Sequence, residues 1–501
     1  MDMEKNRIPE SVRTIHLIAI CGAGMGALAG MLKDLGYTVT GSDQGVYPPM
    51  SDFLEKKGIP VIKGFSPENL AHQPDLVVVG NAVVRKNPEA RALAGMGLCF
   101  CSMPQALNRF VAGDKKVLMT TGTHGKTTTA SVLAWILCRA GLDPTFFIGG
   151  ILRDFNSNYR LGKGEYFVVE GDEYDTAFFD KVPKFLHYDP HMAILTSVEF
   201  DHADIYRDLD HVKSAFDRLL SRMRPESRLL AFDGDPHVRT LIGNHTCTVL
   251  PYGRRPDSPW RLGNIRIEPP VTSFEVLKQG SAFGKFRTRL PGEHNLLNTL
   301  AAIAVADGLG IPVEAMSDAL STFQGPRRRQ EVRGVINGIT VLDDFAHHPT
   351  AVRETIRGVR PFCMGRLIAV FEPRTNTSMR RVFQEVYAAV FDDADLVVIR
   401  KPSRLDKVPE EERFSSERLV SDLNRRGRSA LHFDTTEPII DFLKETARPG
   451  DTVLIMSNGG FDNIHARLLA ELNSLDRGKM VPGEANANQQ KNQERPPLFW
   501  D

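Results

Sequence analysis

Residues 115–139 read KKVLMTTGTHGKTTTASVLAWILCR, and no other stretch restricts the fold as strongly. An apolar run, Val117 to Met119, meets a Gly-Thr-His-Gly turn, and a helix-forming segment follows from Lys126. A strand that ends in a glycine-rich turn and feeds a helix is the first half of a crossover unit. It commits the neighbouring chain to a parallel sheet covered by helices. The same rhythm opens the chain, where IHLIAI leads through CGAGMG into ALAGMLKDLG and then YTVTGSD, with PDLVVVGNAV as a further buried strand. It continues in GEYFVVEGDE and HMAILTSVEFDH. It restarts at ITVLDDFAHHP and runs on through GRLIAVFEPR, ADLVVIRKP and DTVLIMSNGG. Three restarts predict an α/β protein of three domains: a Rossmann-like domain over 1–113, a central P-loop ATPase-type parallel sheet over 114–330, and a second Rossmann-like domain over 331–477. The polar, proline-containing tail 478–501 is expected to be disordered.

Composition narrows the function classes. Lys plus Arg and Asp plus Glu both number 62, so no net charge favours nucleic acid or an anionic membrane surface. The apolar stretch 15–32 is interrupted by His16, Gly22, Gly24 and Gly26, short of the ~20 residues a membrane span needs. Six cysteines in 501 residues, with only a lone Cys99-x-Cys101 spacing, are no disulfide framework. The charged start MDMEKNRIPE lacks an apolar signal core. A reduced cytoplasmic enzyme is the expectation.

In open α/β sheets ligands bind at the carboxyl ends of the strands, and the chemically distinctive residues fall there. The 122–128 loop departs from the usual phosphate-loop spacing, because Thr120 stands where the first glycine belongs. Gly122, Thr123, His124 and Gly125 would bring backbone N–H groups to phosphate oxygens, with the dipole of the following helix in support. Lys126 would reach the outer phosphates, and the hydroxyl of Thr127, next to Thr128, would ligate Mg²⁺. Two acidic strand ends supply further hard oxygen donors: Glu170, Asp172, Glu173 and Asp175 in one, Glu199, Asp201 and Asp204 with His202 in the other. Near the N-terminus, Gly22-Ala23-Gly24-Met25-Gly26 follows a strand, with Ser42 and Asp43 about 20 residues on. Taken alone that is a dinucleotide fingerprint, which leaves open an NAD-dependent oxidoreductase with an accessory ATPase domain. A phosphate-loop switch without catalysis is a third possibility, but it leaves the second glycine-rich loop unexplained.

The ordered set GAGMGALA, GTHGKTTT, EGDEYDTAF, EFDHADIY, GEHNLLNTLAA, GPRRRQEV and DDFAHHPT resembles the Mur ligases, ATP-dependent amide-bond-forming enzymes of bacterial peptidoglycan. The shortened loop is similar to theirs. The resemblance implies that Lys126 and Thr127 hold ATP and Mg²⁺, and that Glu170 and His202 ligate magnesium. It places Asn295 and Asn298 beside the nucleotide base, and brings Arg329 and Asp344 to ATP from the third domain. His348 lies in the same motif with no role assigned. The resemblance also shifts the Gly22–Gly26 loop from NAD to the pyrophosphate of UDP-N-acetylmuramate.

Within that family one branch adds L-alanine to UDP-N-acetylmuramate, and a recycling branch adds the preformed tripeptide L-Ala-γ-D-Glu-meso-diaminopimelate. GSDQGVYPPMS, EYDTAFFDKVPKFLHY, FEPRTNTS and MSNGGFDNIH are similar to the recycling branch. The expected partners are therefore UDP-N-acetylmuramate and a murein tripeptide, with no nucleic acid and no membrane insertion. Carboxylates along that peptide call for a guanidinium. Arg374 follows the strand LIAVF and is the candidate, with Asn376, Ser378, Ser457 and Asn458 as neutral hydrogen-bonding neighbours. A carbamylated lysine used by several family members has no clear counterpart; Lys213 is off in spacing.

Overall fold

The computed structural model describes residues 3–403 and 405–477; the tail 478–501 lies outside the described residues. The chain divides into two compact units. The first holds the residues up to Phe200 with Arg207–Arg261 and Thr299–Ala319, and the second holds Asp201–Tyr206, Leu262–Asn298 and the described residues from Leu320 on.

The first unit contains two large sheets and a small two-stranded one. In the first, β1 (Thr14–Ile18), β2 (Thr38–Asp43), β3 (Val61–Lys63), β4 (Leu76–Val79) and β5 (Phe100–Ser102) are all parallel, in the order β3-β2-β1-β4-β5. Strand β4 reads Leu-Val-Val-Val and is buried throughout, as a strand with helices on both faces must be. Strand order reverses between β1 and β4. The helix Ala23–Asp34 starts at the carboxyl end of β1, so the Gly22–Gly26 loop sits at the topological switch point.

The second sheet is built around β6 (Lys116–Thr121). With β7 (Thr145–Leu152), β8 (Ser157–Arg160), β9 (Tyr166–Gly171), β12 (Pro190–Leu195), β13 (Arg228–Phe232) and β14 (Thr248–Gly253), its order within this unit is β14-β13-β12-β6-β9-β7-β8. Only the β7–β8 pair among these is antiparallel. Between β9 and β12 lies a small antiparallel pair, β10 (Asp175–Ala177) with β11 (Asp180–Pro183). The start of β15 (Trp260–Glu268) pairs in parallel with the end of β14. The β7–β8 hairpin also packs on the helix Ala23–Asp34. The Tyr159 hydroxyl donates to Asp34 at 3.1 Å, Lys57 donates to the same carboxylate at 2.7 Å, and a Cβ on Gly30 would lie 2.5 Å from the Tyr159 oxygen and 2.8 Å from Phe53.

In the second unit β16 (Val271–Lys278) and β17 (Ser281–Thr288) form an antiparallel hairpin. The sheet there comprises β18 (Glu331–Ile336), β19 (Ile339–Asp344), β20 (Leu367–Phe371), β21 (Leu396–Arg400), β22 (Ser429–Phe433) and β23 (Thr452–Met456), ordered β18-β19-β23-β20-β21-β22. The edge strand β18 is antiparallel and the rest are parallel. Phe371, Tyr387, Phe391 and Phe414 fill one face, and Val370, Ile439, Leu443 and Leu468 the other. The β13–β17 segment carries more strand than the sequence rhythm predicts: β13 is short, and β16 and β17 are half-exposed and so lack a continuous apolar run.

Among the described residues no helix is long and apolar enough to cross a membrane.

One buried group makes this fold sensitive to acid. His16, in the middle of β1, is fully buried with its Nδ1 2.9 Å from the Thr40 hydroxyl. Burial, reinforced by the neighbouring His72, pushes its pKa down to about 4. The unfolded chain takes up a proton near pH 6.5, while the folded chain refuses it until about 4. Stability is therefore complete above 6.5 and falls as the pH drops through that window. Replacing His16 by Gln should recover roughly 2 kcal/mol of the stability lost between pH 7 and pH 5, measured as the change in urea midpoint at the two pH values. An equal loss in both proteins would count against this residue.

Candidate active site

The phosphate-type loop owes its shape to the strand beside it. Thr120 is still inside β6, paired with Glu170 on one side and Ile194 on the other. A glycine's freedom is therefore unnecessary at that position, and the turn begins two residues later. Gly122 has φ +122°, and a Cβ there would lie 2.8 Å from the backbone nitrogen of Ser197. Gly125 has φ +82° and caps the helix Lys126–Arg139. Both positions need glycine. The Thr123 N–H donates to the Ser197 carbonyl at 2.9 Å and the His124 N–H to the Ser197 hydroxyl at 3.0 Å. These two amides thus face the end of β12 rather than the loop interior, which leaves the N–H groups of the first helical turn, without intrahelical acceptors, as those an anion could meet.

Lys126 and Thr127 each meet a carboxylate. The Lys126 ammonium donates to the carbonyls of Gly122 (2.7 Å) and Thr123 (3.4 Å) and to Glu173 (2.8 Å). Burial opposes its charge, but Glu173, Asp172 and Glu170 hold its pKa above the ordinary lysine value. The Thr127 hydroxyl donates to Glu170 at 3.1 Å, and the Gly149 N–H donates to the other oxygen of Glu170 at 2.6 Å. Thr128 is buried behind them. Lys184 engages Asp172 at 3.2 Å and the Tyr174 hydroxyl at 3.0 Å, lying over the Tyr174 ring.

In the first sheet Asp43 organises the loop it was expected to serve. Its carboxylate accepts from the N–H of Cys21 and of Gly45, both at 2.8 Å. Ser42 is fully buried and donates to Glu89. A Cβ on Gly24 would press on Met103, and one on Gly26 would collide with Met50; Met25 is buried and Ala23 begins the helix. Gly22 precedes that helix with room above it.

The second unit gathers the other candidates into two linked groups. Asn295 donates to Gln330 at 2.9 Å, and the Gln330 N–H donates to Asp344 at 2.8 Å, so GEHNLLN, RRRQE and LDDF are joined. Asn298 is buried on the same helix. Burial raises the Asp344 pKa, against the pull of Arg329 and two backbone donors. Arg328 and Arg329 both lie over the Phe345 ring, at 5.3 and 5.1 Å. His348 caps the helix Pro349–Val359, its Nδ1 accepting from the Thr350 N–H at 3.2 Å.

The other group surrounds His202, which adopts φ +53° in a tight turn whose carbonyl accepts from Ile205 and Tyr206. Beside it Asp201 is buried. Burial favours its protonation, but His347, at 3.8 Å, with His202 and His348 holds the carboxyl well below the usual range. Asp204 accepts from Asn376 at 3.0 Å, and the Ala203 N–H donates to Thr377 at 3.1 Å, which ties DHADIY to FEPRTNTS. Arg374 lies flat on Gly459, with Nη1 3.7 Å from Glu372. Ser378 caps its loop by accepting from the N–H groups of Arg374 and Thr375. Ser457 donates to Glu372 at 2.6 Å, and Asn458 follows it with a buried side-chain oxygen.

Several residues at these sites were not selected from sequence. Glu372 and Arg400 are buried, and Arg400 bonds to Glu372 at 2.5 Å and to the exposed carboxylate of Asp462 at 2.6 Å. Arg328 donates to the carbonyls of Ser457 (2.6 Å) and Gly459 (2.8 Å) and pairs with Asp343. The signals were faint: a charged residue directly after an apolar strand for Glu372, and the last residue of one for Arg400. Gly149 had only its position in a Gly-Gly pair.

The loop geometry carries a direct test. Gly122→Ala adds a methyl group against the backbone of Ser197 at a φ that L-residues avoid. Nucleotide binding should weaken by at least tenfold, about 1.4 kcal/mol, with the circular dichroism spectrum unchanged. A variant that bound nucleotide normally would show that the loop shape is dispensable.

Three family models match in succession: the Mur ligase family catalytic domain over residues 14–115, the Mur ligase middle domain over 120–306, and the Mur ligase glutamate ligase domain over 327–459. The UDP-N-acetylmuramate–L-alanyl-γ-D-glutamyl-meso-2,6-diaminoheptandioate ligase of Escherichia coli strain K12 is 40% identical over 91% of this chain and 97% of its own length. A UDP-N-acetylmuramate–L-alanine ligase of Pelotomaculum thermopropionicum is 36% identical over 89% of the chain and 95% of its own. The crystal structure of a murein peptide ligase from Psychrobacter arcticus 273-4 superposes with a TM-score of 0.69 at 34% identity, covering 94% of this chain and all of that one. The chain belongs to the Mur ligase family, whose three-domain α/β architecture it has.

Proposed function

We propose that this protein is a cytoplasmic ATP-dependent ligase. It joins the lactyl carboxylate of UDP-N-acetylmuramate to the amine of L-Ala-γ-D-Glu-meso-diaminopimelate, returning a recovered murein peptide to cell-wall synthesis. The observation that carries the nucleotide half is the Thr127–Glu170 hydrogen bond at 3.1 Å beside Lys126. A loop hydroxyl and a strand-end carboxylate within one ligand's reach of each other suit Mg²⁺, a hard cation with oxygen ligands. The amine half rests on the 40% identity to the E. coli tripeptide ligase and on FEPRTNTS. The domains follow the same reading, with a UDP-sugar domain to about 113, an ATP domain to about 330, and a peptide domain to about 477.

The chemistry answers one difficulty, that a carboxylate is a poor acyl donor because hydroxide leaves badly. The lactyl carboxylate attacks the γ-phosphorus of ATP, giving an acyl phosphate and ADP. The L-alanyl amine then attacks the acyl carbon, phosphate departs, and the amine proton passes to solvent or phosphate. Lys126 neutralises charge that builds on the transferring phosphoryl group. Thr127 and Glu170 would hold Mg²⁺, which supplies further charge neutralisation when bound; His202 is the further magnesium ligand that the family resemblance implies. Gly22, Gly24, Gly26 and the helix after them cradle the pyrophosphate. Arg329, Asp344, Asn295 and Asn298 are the further ATP residues that the family resemblance implies, and Arg374 grips a peptide carboxylate.

Three measurements test this. Lys126→Ala should reduce turnover by several orders of magnitude, since ~1.4 kcal/mol of barrier is tenfold in rate, without loss of fold; near-native turnover would refute the loop assignment. Glu170→Gln should raise the Mg²⁺ concentration needed for half-maximal activity. Phosphate release with UDP-N-acetylmuramate should be driven by the tripeptide and not by L-alanine. Release with L-alanine as the preferred amine would move the protein to the branch represented by the 36%-identical relative.

A further inference from the structure

The resting position of Lys126 is at odds with its expected task. A lysine ammonium has three protons, and here all three are committed: to the Gly122 carbonyl, the Thr123 carbonyl and the Glu173 carboxylate. The pair is secluded, with side-chain exposures of 12% for Lys126 and 3% for Glu173. Glu173 is held in place from both sides. The Phe185 N–H donates to the Asp172 carbonyl at 3.1 Å, and the Lys184 N–H donates to that of Tyr174 at 3.2 Å. The neighbouring polar groups are occupied elsewhere, since Lys184 takes the Asp172 carboxylate and the Tyr174 hydroxyl. Glu173 is thus the carboxylate set against the loop lysine.

A triphosphate arriving on this loop must claim the same ammonium. We propose that Glu173 is the resting partner of Lys126 and competes with the nucleotide's outer phosphates for it: the lysine is handed from carboxylate to phosphate on binding and handed back on release. This rests on the nucleotide reading of the loop. Glu173 is a positioning residue in this scheme, acting through Lys126. The hand-over stores a cost in the bound state, because a buried carboxylate is left beside an anion without its strongest cation. It lowers affinity for nucleotide and shortens the stay of ADP after turnover.

The test is direct nucleotide binding by calorimetry on the full chain, with ATP and with ADP, each with and without Mg²⁺. Glu173→Gln removes the competing charge, and Glu173→Asp keeps the charge but withdraws it by one methylene. Both variants should bind ATP roughly tenfold more tightly than the wild type, the size expected for one charged hydrogen bond, with or without Mg²⁺. The rise in melting temperature on adding ATP should be larger in both than in the wild type. Tightening in Gln alone would identify simple long-range repulsion and overturn the hand-over. Weaker binding confined to the Mg²⁺ samples would make Glu173 a metal ligand instead. Unchanged or weaker binding throughout would overturn the proposal. If the Gln variant does not fold, the Asp variant decides by itself, since only the hand-over predicts that it tightens. A wild type that bound no ATP would refute the nucleotide reading itself, an outcome distinct from these.

Discussion

The contact of the Thr121–Lys126 turn with the end of β12 governs the first unit. Thr196 and Ser197 meet the turn through two backbone amides, the His124 carbonyl and the space where a Gly122 side chain would go. Because β12 and β9 flank β6 on opposite sides, fixing the turn against one neighbour leaves its open side toward the other. That is the side on which Glu170 and Glu173 stand. The position of the lysine, the orientation of Thr127 and the acidic pair all follow from a loop shortened to lie against an adjacent strand.

The residues legible in sequence were those whose backbone or charge is conspicuous by itself. Gly122 and Gly125 declare positive φ, Lys126 follows an apolar strand, and Glu170 ends one. The parallel sheets were equally readable, because strands such as β4 and β20 are apolar at every position. Relations between distant segments were not readable. Nothing in DHADIY indicates that Asp204 and Ala203 bond to Asn376 and Thr377. Nothing in GPRRRQE separates Arg328, which fastens the Ser457–Gly459 carbonyls, from Arg329 beside it. Such partners depend on which strand lies next to which, and the 3.6- and 2-residue periods of local sequence do not encode that order. Segment β13–β17 was hard to read for another reason: half-exposed strands lose the apolar run on which strand recognition depends.

The second unit shows how buried polar groups can fix loop positions. Glu372 is fully buried yet receives Arg400 and Ser457, so the ends of β20, β21 and β23 are tied through one carboxylate. Removing Arg400 would leave the Glu372 charge without its closest cation in a low-dielectric interior. Arg374 is drawn toward the same carboxylate at 3.7 Å. A ligand carboxylate reaching Arg374 therefore meets a guanidinium whose electrostatic environment is already partly set.

The packing of the β7–β8 hairpin on the helix Ala23–Asp34 bears on how such a protein drifts over generations. Gly30 has no side chain because the Tyr159 oxygen and the Phe53 ring occupy its space, and Asp34 answers both Tyr159 and Lys57. Five positions scattered over more than a hundred residues are thereby bound into one steric and electrostatic compromise. A larger residue at 30 becomes tolerable only after 159 or 53 has shrunk, and loss of the acid at 34 leaves a phenol and an ammonium to find new neighbours. Substitutions among these positions should arise in concert across descendants of this chain, and hybrid proteins that splice one lineage's first hundred residues onto another's remainder should fail at this seam before any other.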